Sequence, residues 1–244
     1  MSTTPTPSLL RTAIWLGWAA AFLVLSYAPR FGGLFSLLSF TGIVASLRLA
    51  LGPDWKYGAG LAFGARGLAL ATGLLGCLFV VDRALIHAVL ERHGAELVET
   101  GLPFHRSYLQ TLNEEILAGA VPLLWSPLRR WRSSAVVVAV LFAVAHDAVS
   151  FGRLEPLTVV TLAAVGVVRN VLIVRAGHVA FSWAFHLAWN LTFFRGALVF
   201  EGASLDQPDR FNLVLGDPWL ALVAGLLAVT LVALPVVREE PVGQ

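Results

Sequence analysis

The chain is predicted to fold as an all-α, polytopic transmembrane helical bundle of about eight spanning helices. Its 244 residues are 57% hydrophobic and only 13% charged, against roughly 45–50% and about 25% in an ordinary soluble domain. The apolar runs are long and continuous, and charges or Pro and Gly punctuate them. A spanning helix needs about 20 mostly apolar residues, and only helices and closed barrels satisfy their backbone groups in lipid.

Taken in order, the predicted spans are 12–28, 31–51, 58–81, 108–125, 133–150, 156–174, 176–196 and 217–237. The fourth, sixth and seventh carry ionisable residues or meet at joints as short as Arg175-Ala176-Gly177. Between the third and fourth, Asp82 to Arg106 is polar and includes Glu91, Arg92, Glu96 and Glu99. It reads as an interfacial amphipathic helix followed by a turn at Gly101-Leu102-Pro103. The acidic connection from Glu201 to Asp217 reads as a loop. No tandem repeat or soluble segment interrupts the pattern. Residues 1–244 are therefore expected to form a single membrane-embedded domain.

Formal charge is +2, from 17 scattered Lys and Arg residues, and all but Lys56 are arginine. No basic block suggests nucleic acid as a partner. Cys77 is the single cysteine, which excludes an internal disulfide and a zinc-thiolate cluster, and it is expected to be a small packing residue. Pro29 directly after Ser26-Tyr27-Ala28 argues against signal-peptide cleavage there. Placing both termini in the cytoplasm puts Arg11, Lys56, Arg129, Arg130, Arg132, Arg175 and Arg238 inside and the acidic loop outside. Arg83, Arg92 and Arg106 fall on the opposite side. The expected location is a bacterial cytoplasmic (inner) membrane.

Ionisable groups within hydrocarbon cost about 2.5–3.5 kcal/mol each on insertion scales, so each needs a reason. The fourth span holds Asn113-Glu114-Glu115. Adjacent helical residues point about 100° apart, so one carboxylate is expected to line a cavity while the other holds a partner. In the fifth span, Phe142 and His146 stand one turn apart on a shared face. The seventh carries His186 and Asn190 at the same spacing, which lets an amide and an imidazole meet one oxygen. Singly, each is more often a structural feature than a site. Three spans contributing them together point to a water-filled catalytic pocket.

The sequence Glu114-Glu115, then Phe142-x-x-x-His146, then His186-x-x-x-Asn190 resembles the three motifs of the CAAX prenyl endopeptidase and bacteriocin-processing (CPBP/Abi) family of glutamic-type intramembrane proteases. The stretch Gly166 to Asn190, through Arg175-Ala176-Gly177, is similar to the family's hydrophobic helix, turn and His helix. The motif-bearing core spans about 108–196. The resemblance implies a peptidase in which Glu114 and His146 activate water, His186 and Asn190 stabilise the oxyanion, and Glu115 orients its partners. Where the family has Glu-Glu-x-x-x-Arg, this chain has Gly119 in place of the Arg. Arg169 and Arg66 are candidate substitutes, and Arg169 is expected to pair with Glu115.

No cofactor is expected. The alternative is zinc held by Glu114, His146 and His186, a ligand set that would activate water directly. His-Glu-x-x-His is absent, and no acidic residue backs each imidazole. Trp183 and Trp189 flank His186 and are expected to shape a substrate groove. Trp55, Trp125, Trp131 and Trp219 suit an interfacial belt, and His87, His93, His105 and His178 read as interfacial.

Implied partners are the bilayer and a membrane-tethered protein or peptide substrate. That substrate could be a leader or bacteriocin precursor, a lipidated tail or a C-terminal sorting signal of the kind cut by myxosortases. A non-catalytic immunity or scaffold protein is the competing class, favoured by Gly119. A proton-relay transporter lacks the expected inverted repeats and broken-helix pairs.

Overall fold

The computed structural model describes residues 9–26, 32–99, 104–124, 130–194 and 196–235. Tyr27 to Pro29, Gly101 to Pro103, Trp125, Arg129 and Arg238 lie outside the described residues, as do the side chains of Arg11, Ser26, His105 and Arg106. The helices α1 (Leu9–Ser26) and α2 (Gly32–Leu51) pair through Trp18, whose Nε1 donates to Ser46 Oγ at 2.7 Å. A 3-10 turn (Gly52–Asp54) and the single-turn α3 (Trp55–Gly58) lead into α4 (Gly64–His93). After β1 (Ala95–Glu99) come α5 (Phe104–Glu115), a π-helical turn (Ile116–Ala120) and α6 (Val121–Leu124). Then follow α7 (Trp131–Val149), α8 (Pro156–Ala176) and α9 (Ala180–Phe193). The chain continues through β2 (Gly196–Phe200), β3 (Ala203–Ser204), α10 (Gln207–Leu215) and α11 (Pro218–Ala233).

Among the described residues, α4, α7 and α8 are long and apolar enough to cross a membrane. The pair α10 and α11, bent by 73°, is a fourth candidate if it counts as one span, against about eight anticipated. Helices dominate as expected, with three departures. The polar stretch after Asp82 does not begin a separate interfacial helix: α4 runs on for 30 residues and stops only at Gly94, whose φ of +65° closes the helix in the left-handed region. Beyond it, β1 pairs antiparallel with β2, from Ala95 opposite Phe200 to Glu99 opposite Gly196, and β2 pairs with β3. The predicted seventh span therefore ends its helix at Phe193, and its last residue, Gly196, begins a strand. In the expected loop 201–217, Asp206 caps a further helix, α10, by accepting from Asp209 N. Cys77 is exposed on α4 and does not pack inside.

α8 is the central helix. It packs against α7 and α11, while α4 packs against α9 and α5 lies between α2 and α9. The α7–α8 contact is made by small residues. Ala135, Ala139 and Ala143 repeat every four positions along the buried stripe of α7, and a Cβ on Gly166 would stand 3.1 Å from Ala139 Cβ. Without a hydrophobic force between helices in lipid, such close backbone approach supplies the packing. The opposite side of α7 leaves Val136, Val137, Val140, Leu141 and Val144 exposed, as a lipid-facing surface requires.

Polar clasps close the end of the bundle where α8 and α11 begin. Asp217 caps α11 through Trp219 N and Leu220 N, and it takes Arg92 Nη2 at 2.7 Å and His93 Nε2 at 3.1 Å from the end of α4. Arg153, between α7 and α8, donates to Asp206 and Asp209. Those bonds hold the Asp206 carboxyl below the usual range, so it remains an anionic cap at neutral pH.

Gly166→Val would force α7 and α8 apart. The expected loss is about 1–3 kcal/mol, the usual cost of overpacking, read as a lower unfolding temperature in detergent. Unchanged unfolding would show that the helices do not depend on this approach.

Candidate active site

The two adjacent acids end α5, immediately before the π-helical turn at Ile116–Ala120. Such turns re-aim the residues beside them and recur at functional sites. Glu114 lines a cavity of about 170 Å³, whereas Glu115 is fully buried behind it. The division anticipated from the 100° offset is the division seen.

Glu115 is a junction. Its Oε1 lies 3.5 Å from Arg169 Nη1 of α8 and 2.8 Å from His186 Nδ1 of α9. With the carboxylate as acceptor, His186 Nδ1 is the donor. The other ring nitrogen, Nε2, then faces Glu114 Oε2 at 3.6 Å. Gln110, one turn before Glu114, donates to its Oε1 at 3.2 Å.

Arg169 is only 2% exposed. Its guanidinium lies 4.1 Å over the Phe142 ring, donates to Ala118 O at 3.1 Å and reaches Asn170 Oδ1 at 3.3 Å. Asn170 in turn donates to Ala135 O of α7 at 2.8 Å. Gly119 sits beside this junction. A Cβ there would come 3.8 Å from Glu115 Oε2 and 2.5 Å from Ile173 Cδ1. A side chain leaving position 119 would therefore approach the same carboxylate that Arg169 reaches from the facing helix. Arg66, the other substitute considered, is exposed on α4.

His146 lines the cavity, and its Nδ1 lies 2.9 Å from Phe142 O, which leaves Nε2 free of the backbone. The Phe142 ring packs on both histidines, with centroids 4.3 Å from His146 and 6.2 Å from His186. Asn190 also lines the cavity and donates to Thr111 Oγ1 at 3.0 Å. Trp189 is in the lining, stacked on Phe193. Trp183 is not in the lining; it packs on Tyr108 and donates to its carbonyl at 3.3 Å. The remaining wall is mostly apolar, including Leu162, Val165, Phe185, Phe211, Leu215, Val223 and Leu227, with Asp82, Arg169 and Gln207 as its polar members.

Glu114, His146, His186 and Asn190 thus come from α5, α7 and α9 to one cavity. Among the described residues, no three His, Cys, Asp or Glu side chains are grouped as ligands for a metal ion. Sequence reasoning missed Gln110, Thr111 and Asp82. Gln110 and Thr111 each precede an acid of the pair by four residues, a spacing that was legible; Asp82 had been assigned to the interfacial stretch.

Residues 103–192 match the family model described as type II CAAX prenyl endopeptidase Rce1-like. This segment is similar to an Rce1-like domain. No curated protein and no solved structure matches the chain. The Rce1-like match covers all three motif helices and supports an intramembrane CAAX-type endopeptidase in general terms. Together with the apolar helices, it identifies an integral membrane protein.

Arg169→Leu would remove the buried cation beside Glu115 and leave that acid only its His186 contact. Breaking a buried pair from one side costs about 3–5 kcal/mol, so the variant is expected to unfold at markedly lower temperature. Adding Glu115→Gln should recover part of the loss. Normal folding and normal cleavage by Arg169→Leu would remove Arg169 as the substitute for the motif cation.

Proposed function

We propose that the protein is an intramembrane endopeptidase that hydrolyses a peptide bond in a membrane-associated substrate with a water activated by Glu114. The observation that carries this reading is the convergence of Glu114, His146, His186 and Asn190 on one cavity within an Rce1-like segment. Glu114, with His146 beside the same space, takes a proton from water as its oxygen adds to the scissile carbonyl carbon. The proton then passes to the departing amine nitrogen as the C–N bond breaks. No acyl-enzyme forms.

The oxyanion is met by His186 and Asn190. With Nδ1 of His186 held by Glu115, its Nε2 is the ring nitrogen turned toward Glu114. Asn190 spends one amide hydrogen on Thr111 and keeps the second for the substrate. Preorganised donors of this kind are worth about 3–4 kcal/mol each in other proteases. Glu115 and Arg169 touch no substrate in this scheme. They fix the His186 ring, so that its catalytic nitrogen needs no reorganisation during the reaction.

The decisive comparison is the membrane proteome of cells carrying wild type or Glu114→Ala. An uncut precursor is expected to accumulate in the variant, which names the substrate as well. Identical processing at normal expression would instead favour a membrane scaffold that retains the pocket without the reaction, the reading that Gly119 invites. Once a substrate is known, cleavage by the purified enzyme is expected to survive exhaustive treatment with a strong chelator. Loss of cleavage restored by zinc would overturn the metal-free chemistry.

A further inference from the structure

Two carboxylates line the cavity among the described residues, Glu114 and Asp82, and their surroundings differ. Glu114 is held by Gln110 and faces His186. Asp82 is 7% exposed, and its Oδ2 is buried with no hydrogen-bond partner. A charge-bearing side chain kept inside a membrane helix without a protein partner marks a place where a partner arrives from outside.

The wall near Asp82 indicates what arrives. On α4, Leu85 lies one turn beyond Asp82 and also lines the cavity while remaining 37% exposed. On α11, Val223 and Leu227 line it at 47% and 42% exposure. The cavity therefore reaches the outer, lipid-facing surface along both helices. α4 packs on α9 and α11 packs on α8, and the clasp of Arg92 and His93 on Asp217 joins the two helices at one end. An occupant entering here crosses an apolar threshold and then meets a lone carboxylate. Hydrocarbon alone leaves that carboxylate unsatisfied, whereas a hydrocarbon segment bearing a cation satisfies both surfaces.

We infer that Asp82 is a specificity-determining residue that receives a Lys or Arg side chain carried on an apolar segment of the peptide substrate. This rests on the endopeptidase reading and adds the substrate chemistry that the site selects. The cation donates to the Asp82 carboxylate while the flanking apolar residues lie against Leu85, Val223 and Leu227. Asp82 takes no part in bond breaking.

The test separates binding from cleavage. Full-length Glu114→Gln, purified in detergent, is titrated with a fluorescent Leu/Ala peptide bearing one central Lys and with the same peptide carrying norleucine there. The Lys peptide is expected to bind about tenfold tighter or more, as a charge-assisted bond predicts. Adding Asp82→Asn should abolish that preference and leave norleucine binding unchanged, while Asp82→Glu should retain part of it.

Equal binding of the two peptides, failure to bind the Lys peptide, or a preference surviving Asp82→Asn overturns the assignment. Thermal unfolding of each variant confirms that a folded protein was compared. Failure of the endopeptidase reading gives a different pattern: the Lys preference persists, but Glu114→Ala changes no processing in cells.

Discussion

The ion pair between Arg169 and Glu115 is the constraint on which the site depends. A carboxylate with no exposure in the middle of a helical bundle is costly unless a cation neutralises it. Arg169 does so at 3.5 Å, and its planar face rests on Phe142. α8 is the most deeply covered of the candidate spans, so the cation stays out of lipid. Only with Glu115 neutralised from one side can it spend a lone pair on His186 from the other. The ring is then fixed, and the remaining nitrogen points at Glu114.

The source of the cation is a matter of packing as much as charge. An Arg at position 119 would leave the helix that carries the acids, one turn beyond Glu115. Here that volume holds the tip of Ile173. Ile173 and Arg169 both belong to α8, four residues apart on adjoining turns. The same helix thus fills the space of the absent side chain and supplies the charge that side chain would bring. Close approach of α8 to α7 at Gly166 and Ala139 sets the depth of both residues, and it also sets the height of His146 on α7.

The readable parts of this molecule were those where physics leaves few choices. Acids, imidazoles and an amide in apolar runs had to be explained, and their helical spacing told which side chains share a face. That logic reached Glu114, Glu115, His146, His186 and Asn190 as cavity or junction residues. It failed at Asp82 because a span boundary was drawn at the first charge, as though a charge must lie in water; the helix runs on, and Asp82 turns inward. It failed at β2 because Gly196 to Phe200 is as apolar as the helix before it, and composition cannot distinguish a strand from a helix end. The partner strand β1, with two glutamates in five residues, falls in the polar stretch that reads as interfacial helix, since polarity does not tell a strand from a helix either.

Adjacent acids of one residue type perform different work here because burial separates them. Glu115 turns into the bundle and meets fixed charges, so its role is to hold. Glu114 turns into the cavity, where Gln110 occupies one oxygen and the other faces a histidine across 3.6 Å, a gap slightly too wide for a direct hydrogen bond. A carboxylate held close to an imidazole without bonding to it can engage a third molecule. The π-helical turn that begins at the next residue but one stops α5 from continuing regularly past the pair. Two neighbouring glutamates on a regular helix would still diverge by about 100°, but here the chain changes pitch where one must be sealed and the other exposed. The same contrast separates Asp82 from Glu114: each lines the cavity, yet only Glu114 has protein groups arranged around it, which is why we assign the proposed chemistry to Glu114 and the proposed recognition to Asp82.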